Sequence, residues 1–315
     1  MPNVVMRGLK QFLLFAVRIA PAYCFGKKKL RVLMYHGIDD IHFPKEAFQS
    51  QVSFLAQNFE LFFVSDIPRL LEDGLVTHSG KPPLVLTFDD GLKNNLTIAA
   101  PILDYYGAKA TYYLVSGLLQ GGQMLWNHEL FCRLFVLSDE EIRLHVESSF
   151  FPGQNRRLAL RTYIEKVKTW PDEEKRALLA KIKQAFPSQV FGEDLRKTYE
   201  IMSVEDAKKL PSCIEVGSHT VTHPILNTVE HSNIFEEVRA SKEQLERLLN
   251  RPILSFCYPN GIFTEETVLE VKKHYMLAVT TQEGMVSVGD DLFRLKRISS
   301  RVNLSDLVAQ LLFPK

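Results

Sequence analysis

Residues Leu84–Gly91 read LVLTFDDG. Five apolar or threonine residues run into two adjacent carboxylates, and Gly91 then lets the chain turn. This is the pattern of a buried strand whose carboxyl end opens on a site. Side-chain alternation sends Asp89 and Asp90 in different directions unless the strand ends there. Two neighbouring acids repel, so a cation or a proton is needed for them to coexist. The competing reading is a solvated D-D-G turn.

Outward from this stretch, the same type of run recurs. Arg31–Tyr35 (RVLMY), Glu60–Val64 (ELFFV), Ala108–Val115 (AKATYYLV), Cys213–Val216 (CIEV), Ile253–Tyr258 (ILSFCY) and Met276–Thr280 (MLAVT) all read as buried strands. Helical patterns separate them at Lys45–Asn58, Asn95–Tyr106, Ser203–Leu210, Asn233–Asn250 and Thr264–His274. Strands alternating with helices predict a parallel α/β sheet or barrel, with function at the carboxyl ends of the strands. Residues 122–200 break the alternation. They hold little strand signal, are dense in charged helix formers, and carry a helix start at Pro171 and Asp172. We read them as a helical insertion, in the main a solvated excursion, with a substrate groove or a partner surface as its other roles.

Three more strand ends carry chemistry-bearing residues. Glu215–Pro224 reads EVGSHTVTHP, with His219 and His223 spaced i, i+4. One helical turn would put both imidazoles on one face, and a nearby carboxylate would complete a two-histidine, one-carboxylate metal set. Ser255–Gly261 reads SFCYPNG, a strand followed by a turn able to present a backbone N–H to an oxyanion. Leu33–Gly37 reads LMYHG and places His36 at a strand end, where a structural histidine is the ordinary reading. Arg294 and Arg297 in Phe293–Ser299 (FRLKRIS) read as surface charges.

Global composition narrows the class. The chain has 315 residues, 46% hydrophobic and 24% charged, ordinary values for a globular protein and too apolar for a disordered one. With 38 Lys plus Arg against 37 Asp plus Glu, the net charge of +1 gives no nucleic-acid footprint. Four scattered cysteines (Cys24, Cys132, Cys213, Cys257) read as reduced thiols. The charge is unevenly spread, because seven bases and no acid precede Asp39, leaving 31 bases against 37 acids beyond them. As a helix, residues 3–20 put Asn3, Arg7, Lys10, Gln11 and Arg18 on one face and Val5, Leu9, Phe12, Leu13, Ala16, Ile19 and Ala20 on the other. Such an arm can lie in a membrane interface. A helix packed on the protein's own body and an atypical signal peptide are the alternatives. We therefore expect an arm over 1–29 and a catalytic domain over 30–315, cytoplasmic and peripherally membrane-associated, with export as the alternative.

Taken together, these segments resemble the polysaccharide deacetylases of the NodB-homology fold, carbohydrate esterase family four. The first family motif, T-F-D-D, is present as Thr87, Phe88, Asp89 and Asp90, and the second, H-[ST]-x-x-H, as His219–His223. The resemblance covers about residues 31–300 and implies a distorted (β/α) barrel of about seven strands. It implies that Asp89 is the catalytic base and that Asp90, His219 and His223 hold a divalent metal, Zn²⁺ first, with Co²⁺, Ni²⁺ or Mn²⁺ as alternatives. Two family features are missing. The third motif's Arg is absent from Cys257–Asn260, and no histidine follows His274 to act as the general acid. The Y-H-G near the start and the Y-P-x-G turn resemble instead the circularly permuted subgroup, which implies His36 as the acid, with Asn260 and Tyr258 at the substrate and Arg297 or Arg294 in place of the missing Arg.

The activity implied is hydrolysis of N-acetyl groups on amino sugars in a polysaccharide or lipid-linked glycan. A related amidase acting on formyl or small cyclic amides, and a catalytically inactive glycan-binding relative, are the alternatives. A metalloprotease is remote, since H-E-x-x-H is absent.

Overall fold

The computed structural model describes residues 29–313 except 40–41, 147–154 and 188–190. The basic arm, expected over 1–29, lies outside the described residues but for Lys29. The elements follow the alternation read from the sequence. They begin β1 (Arg31–Tyr35), α1 (Lys45–Asn58), β2 (Glu60–Phe62), α2 (Ile67–Glu72), β3 (Pro83–Phe88), α3 (Ala100–Tyr105) and β4 (Ala110–Leu114). Five helices come next: α4 (Trp126–Val136), α5 (Asp139–His145), α6 (Arg156–Lys168), α7 (Asp172–Ala185) and α8 (Glu193–Tyr199). The chain then returns to α9 (Val204–Ala207), β5 (Ile214–Ser218), α10 (His231–Phe235), α11 (Ser241–Leu249), β6 (Ser255–Cys257), α12 (Glu265–His274), β7 (Leu277–Glu283), β8 (Leu295–Ser299) and α13 (Leu304–Leu312).

All strand pairings are parallel, in the order β1-β8-β7-β6-β5-β4-β3, and β1 pairs again with β3 to close a barrel of seven. The short β2 pairs with the first half of β3, from Glu60↔Pro83 to Phe62↔Val85, while β4 pairs with its second half at Thr87↔Thr111 and Phe88↔Tyr112. The expected seven-stranded barrel is thus present, but its membership differs. Glu60–Phe62 stands beside the ring, and Leu295–Ser299, not among the expected strands, supplies the seventh stave.

Period-2 alternation sorts the strand side chains into two sets. Leu84, Leu86, Phe88, Tyr112, Val216, Phe256, Ala278 and Ile298 join Phe48, Val52, Leu55, Leu245 and Val268 of the helices in one core. Their neighbours Val32, Val85, Tyr113, Cys257, Val279 and Leu295 form another, closed by Ile67, Leu70 and Leu71 of α2. Gly217 is required by this interior, since a Cβ there would stand 2.4 Å from the Tyr113 ring. Helices α4 to α8 have a core of their own, built on Leu130, Phe131, Leu134, Leu160, Ile164, Val167 and Ile182.

Candidate metal centre and active site

The interior row of β3 runs Val85, Thr87, Asp89. Asp89 still makes the last rung of the sheet, its N–H donating to the Tyr35 carbonyl at 3.0 Å. The strand then breaks, because Asp90 (φ 74°) and Gly91 (φ 69°) both take left-handed backbone. This turn re-aims the second carboxylate, so both acids face the site rather than opposite sides of the sheet.

His219 follows β5, its N–H on the Leu114 carbonyl at 2.9 Å. The expected helical turn through His223 is not formed. Thr220 (φ 69°) and His223 (φ 59°) are left-handed, and the His223 N–H donates to the Thr220 hydroxyl at 2.9 Å. The loop is held from outside by Glu237, whose carboxylate accepts the Val221 and Thr222 N–H groups at 2.8 and 3.0 Å and the Thr222 hydroxyl at 2.6 Å. Three N–H and O–H donors on one buried carboxylate are a stronger constraint than a lone helical turn. Of the six non-glycine residues with positive φ among the described residues, Asp90, Thr220, His223 and Asn260 belong to these strand-end loops. Such clustering marks functional sites.

The three predicted ligands converge. One Asp90 oxygen lies 3.6 Å from His219 Nε2 and 3.5 Å from His223 Nε2, and all three residues are buried. Those separations are long for hydrogen bonds. They match the spacing of roughly 3.3–3.4 Å expected between donors of a tetrahedral ion with bonds of about 2.0–2.1 Å. His219 Nδ1 donates to the Cys257 carbonyl at 2.7 Å, which orients the ring with Nε2 toward Asp90. Burial, then the neighbouring His219, pushes the His223 imidazole down to about 3, so it stays a neutral donor. Burial alone would raise the Asp90 carboxyl, but the His219 imidazole and then His36 outweigh it and hold the group well below the usual carboxylate range. The donor set therefore fits a divalent cation. A second grouping, Asp89, His219 and Cys257, fits less well, because burial keeps the Cys257 thiol protonated and Arg297 engages both Asp89 oxygens.

Arg297 is not a surface charge. It shares the interior row of β8 with Leu295, is 0% exposed, and grips Asp89 through two 2.7 Å bonds from Nη1 and Nη2. Its other donors go to the Thr280 carbonyl (2.7 Å), the Thr87 hydroxyl (3.0 Å) and Cys257 Sγ (3.3 Å). No donor is left over for substrate: Arg297 lies on the Asp89 carboxylate, in keeping with a replacement for the missing Arg rather than with a substrate contact. Burial raises the Asp89 carboxyl, but the guanidinium more than offsets this and the group lies below its ordinary range. Arg294 is at the surface, paired with Glu265 and Asp291. Tyr258, also expected beside substrate, is buried, with its hydroxyl on the Phe293 carbonyl at 3.0 Å and its ring on Phe256 and Phe263. Asn260 is held at φ 53° with its carbonyl accepting from the Thr281 hydroxyl, and it does not line the cavity described next.

Asp90 and the exposed His36 open into a cavity of about 540 Å³. Its other walls include Asn127, His128 and Phe131 of α4, Arg161 and Lys168 of α6, and Tyr199 of α8. The helices expected as a solvated excursion therefore form much of the cleft. These residues were missed because nothing in the charged helical stretch distinguishes an inward His128 from a solvated one.

The family model for polysaccharide deacetylase matches residues 204–279, which hold both histidines and the Y-P-N-G turn. Over those residues the chain is similar to the polysaccharide deacetylases. A Bacillus subtilis protein, YxkH, whose name assigns it provisionally to that group, is 21% identical over 278 residues, covering 86% of this chain and 71% of its own. The Streptococcus pyogenes deacetylase PplD, solved in complex with acetate, superposes with a TM-score of 0.60 at 20% identity over 91% of this chain and 99% of that one. BC0361, a polysaccharide deacetylase from Bacillus cereus, gives 0.57 at 22% identity over 91% and 69%. These likenesses fix the barrel as that of the deacetylases.

Proposed function

We propose that the protein is a metal-dependent hydrolase that removes N-acetyl groups from amino sugars in a polysaccharide or lipid-linked glycan. The observation that carries this reading is the division of labour in the D-D pair. Asp90 faces two imidazole nitrogens at 3.5 and 3.6 Å, while Asp89 is gripped by a buried guanidinium. Asp90, His219 and His223 would hold the ion, Zn²⁺ by donor type. When bound, such an ion supplies Lewis-acid polarisation of an amide carbonyl and acidifies water.

The chain's own residues do the rest. Asp89 accepts the proton of the attacking water, and the two-pronged hold of Arg297 keeps its carboxylate ionised and oriented. His36, in the cavity wall with Asp90, gives a proton to the departing amine nitrogen, which cannot leave as an amide anion.

The test is incubation with N-acetylglucosamine oligomers across a divalent-metal series, scored for released acetate. Acetate should appear with metal and vanish after chelation. A protein that binds the metal in stoichiometric amount yet releases no acetate under any condition would overturn the reading.

A further inference from the structure

The first turn of α4 holds two polar atoms that the protein leaves unanswered. Asn127 Oδ1 and His128 Nδ1 are shut off from solvent and have no hydrogen-bond partner. Buried polar atoms are paired in the great majority of cases, so two orphans on consecutive residues need an explanation. Both residues line the 540 Å³ cavity that contains Asp90 and His36. That volume is within the range of about 300–1,000 Å³ typical of small-ligand sites. The turn is also fixed in place, since Trp126 Nε1 donates to the His223 carbonyl at 3.2 Å. His128 belongs to neither of the metal-capable groupings among the described residues.

The remaining walls say what chemistry fits. Of the charged groups around the cavity apart from Asp90, Arg161 contacts His42, Lys168 pairs with Glu165 at 2.7 Å, and Asp39 pairs with His42 at 3.1 Å. What stays open is uncharged hydrogen-bonding capacity. Beside it stands an aromatic wall in which Tyr199 lies 4.7 Å from His128, 5.8 Å from Phe131 and 6.0 Å from His42, ring centre to ring centre. An apolar ring face next to unpaired neutral polar atoms suits a sugar ring, which has C–H faces and hydroxyl edges.

We propose that Asn127 and His128 form a subsite for an uncharged sugar residue of the glycan, contributed by the helical insertion rather than by the barrel. This rests on the hydrolase reading above for the identity of the ligand class. The subsite makes recognition depend on sugar hydroxyls, so an N-acetylated oligosaccharide is bound and a bare acetamide or aryl acetate is not.

The direct test is calorimetric titration of neutral N-acetylglucosamine oligomers into the full chain carrying Asp89→Asn, which prevents turnover. Adding His128→Ala or Asn127→Ala should weaken binding by about 10-fold or more, the scale expected when a hydrogen bond of roughly 1–3 kcal/mol is lost. His128→Gln should restore much of it, and metal content should be unchanged throughout. Failure of the oligomers to bind the parent, or affinity unchanged from the parent in both alanine variants, would overturn the subsite. So would a preference for oligomers bearing carboxylates that depends on His128, because the site would then not be neutral. Acetate release by the wild-type chain is scored separately. Its absence alongside His128-dependent binding would remove the hydrolase reading and leave the subsite standing.

Discussion

Asp89 and Asp90 are adjacent in the chain and differ in what touches them. Two guanidinium nitrogens at 2.7 Å serve Asp89, and two imidazole nitrogens beyond hydrogen-bond length surround Asp90. We predict that Asp89→Asn keeps metal stoichiometry and loses turnover by about 10²–10⁴-fold, whereas Asp90→Asn weakens metal binding itself. Equal metal affinity in the two variants, measured by metal analysis after dialysis, would contradict the assignment. Arg297 adds a pH prediction. Because it holds the Asp89 carboxyl below its ordinary range, the pair's contribution to stability is present above the usual carboxylate pKa near 4. It is lost as pH falls through the lowered native value. Replacing Arg297 by Gln removes the cause, so the Asp89 carboxyl rises and the acid limb of the pH–rate profile moves to higher pH. Leaving a buried carboxylate unpaired also costs about 3–5 kcal/mol. Arg297→Lys, which keeps the charge without the fork, serves if the Gln variant does not fold. An acid limb unmoved in both variants would show that Arg297 does not set the Asp89 carboxyl.

At the level of elements, legibility followed solvent exposure. β1, β3, β4 and α1 were read correctly because their buried runs are uninterrupted or strictly periodic. β8 was missed because Lys296 and Arg297 sit mid-strand, and charge normally signals surface. An alternation of Leu295, Arg297 and Ser299 against Lys296 and Ile298 was present in the sequence. It made sense only once Arg297 had a buried acid to meet. The H-T-V-T-H stretch failed differently. Its spacing was sufficient to pair the imidazoles but could not reveal that a loop braced by Glu237 does the pairing. That carboxylate lies in Glu236–Ala240, a wide helical turn between α10 and α11. Such widened turns are frequent at functional sites. We predict that Glu237→Ala leaves the barrel folded but lowers metal affinity by about 10–100-fold, as loss of outer support for metal ligands typically does. Competition with a chelator reads this directly, and an unchanged affinity would mean that the loop holds its shape without Glu237.

For the whole molecule, charge is the organising feature still without a structural counterpart. The bases of the first 38 residues are set on a body that carries a deficit of positive charge. Among the described residues, no helix is long and apolar enough to cross a membrane. We propose that residues 3–20 bind an anionic membrane surface peripherally and hold the barrel near lipid-linked glycan on the cytoplasmic side. Each Lys or Arg near such a surface contributes about 1 kcal/mol. Three or four of them, with Phe12 and Leu13 inserted, would give reversible attachment rather than permanent anchoring. A chain starting at Leu30 should then stay folded, keep its activity on soluble oligomers, and lose affinity for vesicles containing anionic lipid. Binding of the full chain should also weaken in high salt, because exposed charges are screened over about 8–10 Å at physiological ionic strength. Co-sedimentation of both chains with anionic and neutral vesicles, at low and high salt, measures each arm of this expectation. If the full chain ignores anionic vesicles, or the shortened one unfolds, the arm packs on the body and the membrane placement is wrong. Recovery of a mature chain cleaved near residue 26 would instead place the protein outside the cell.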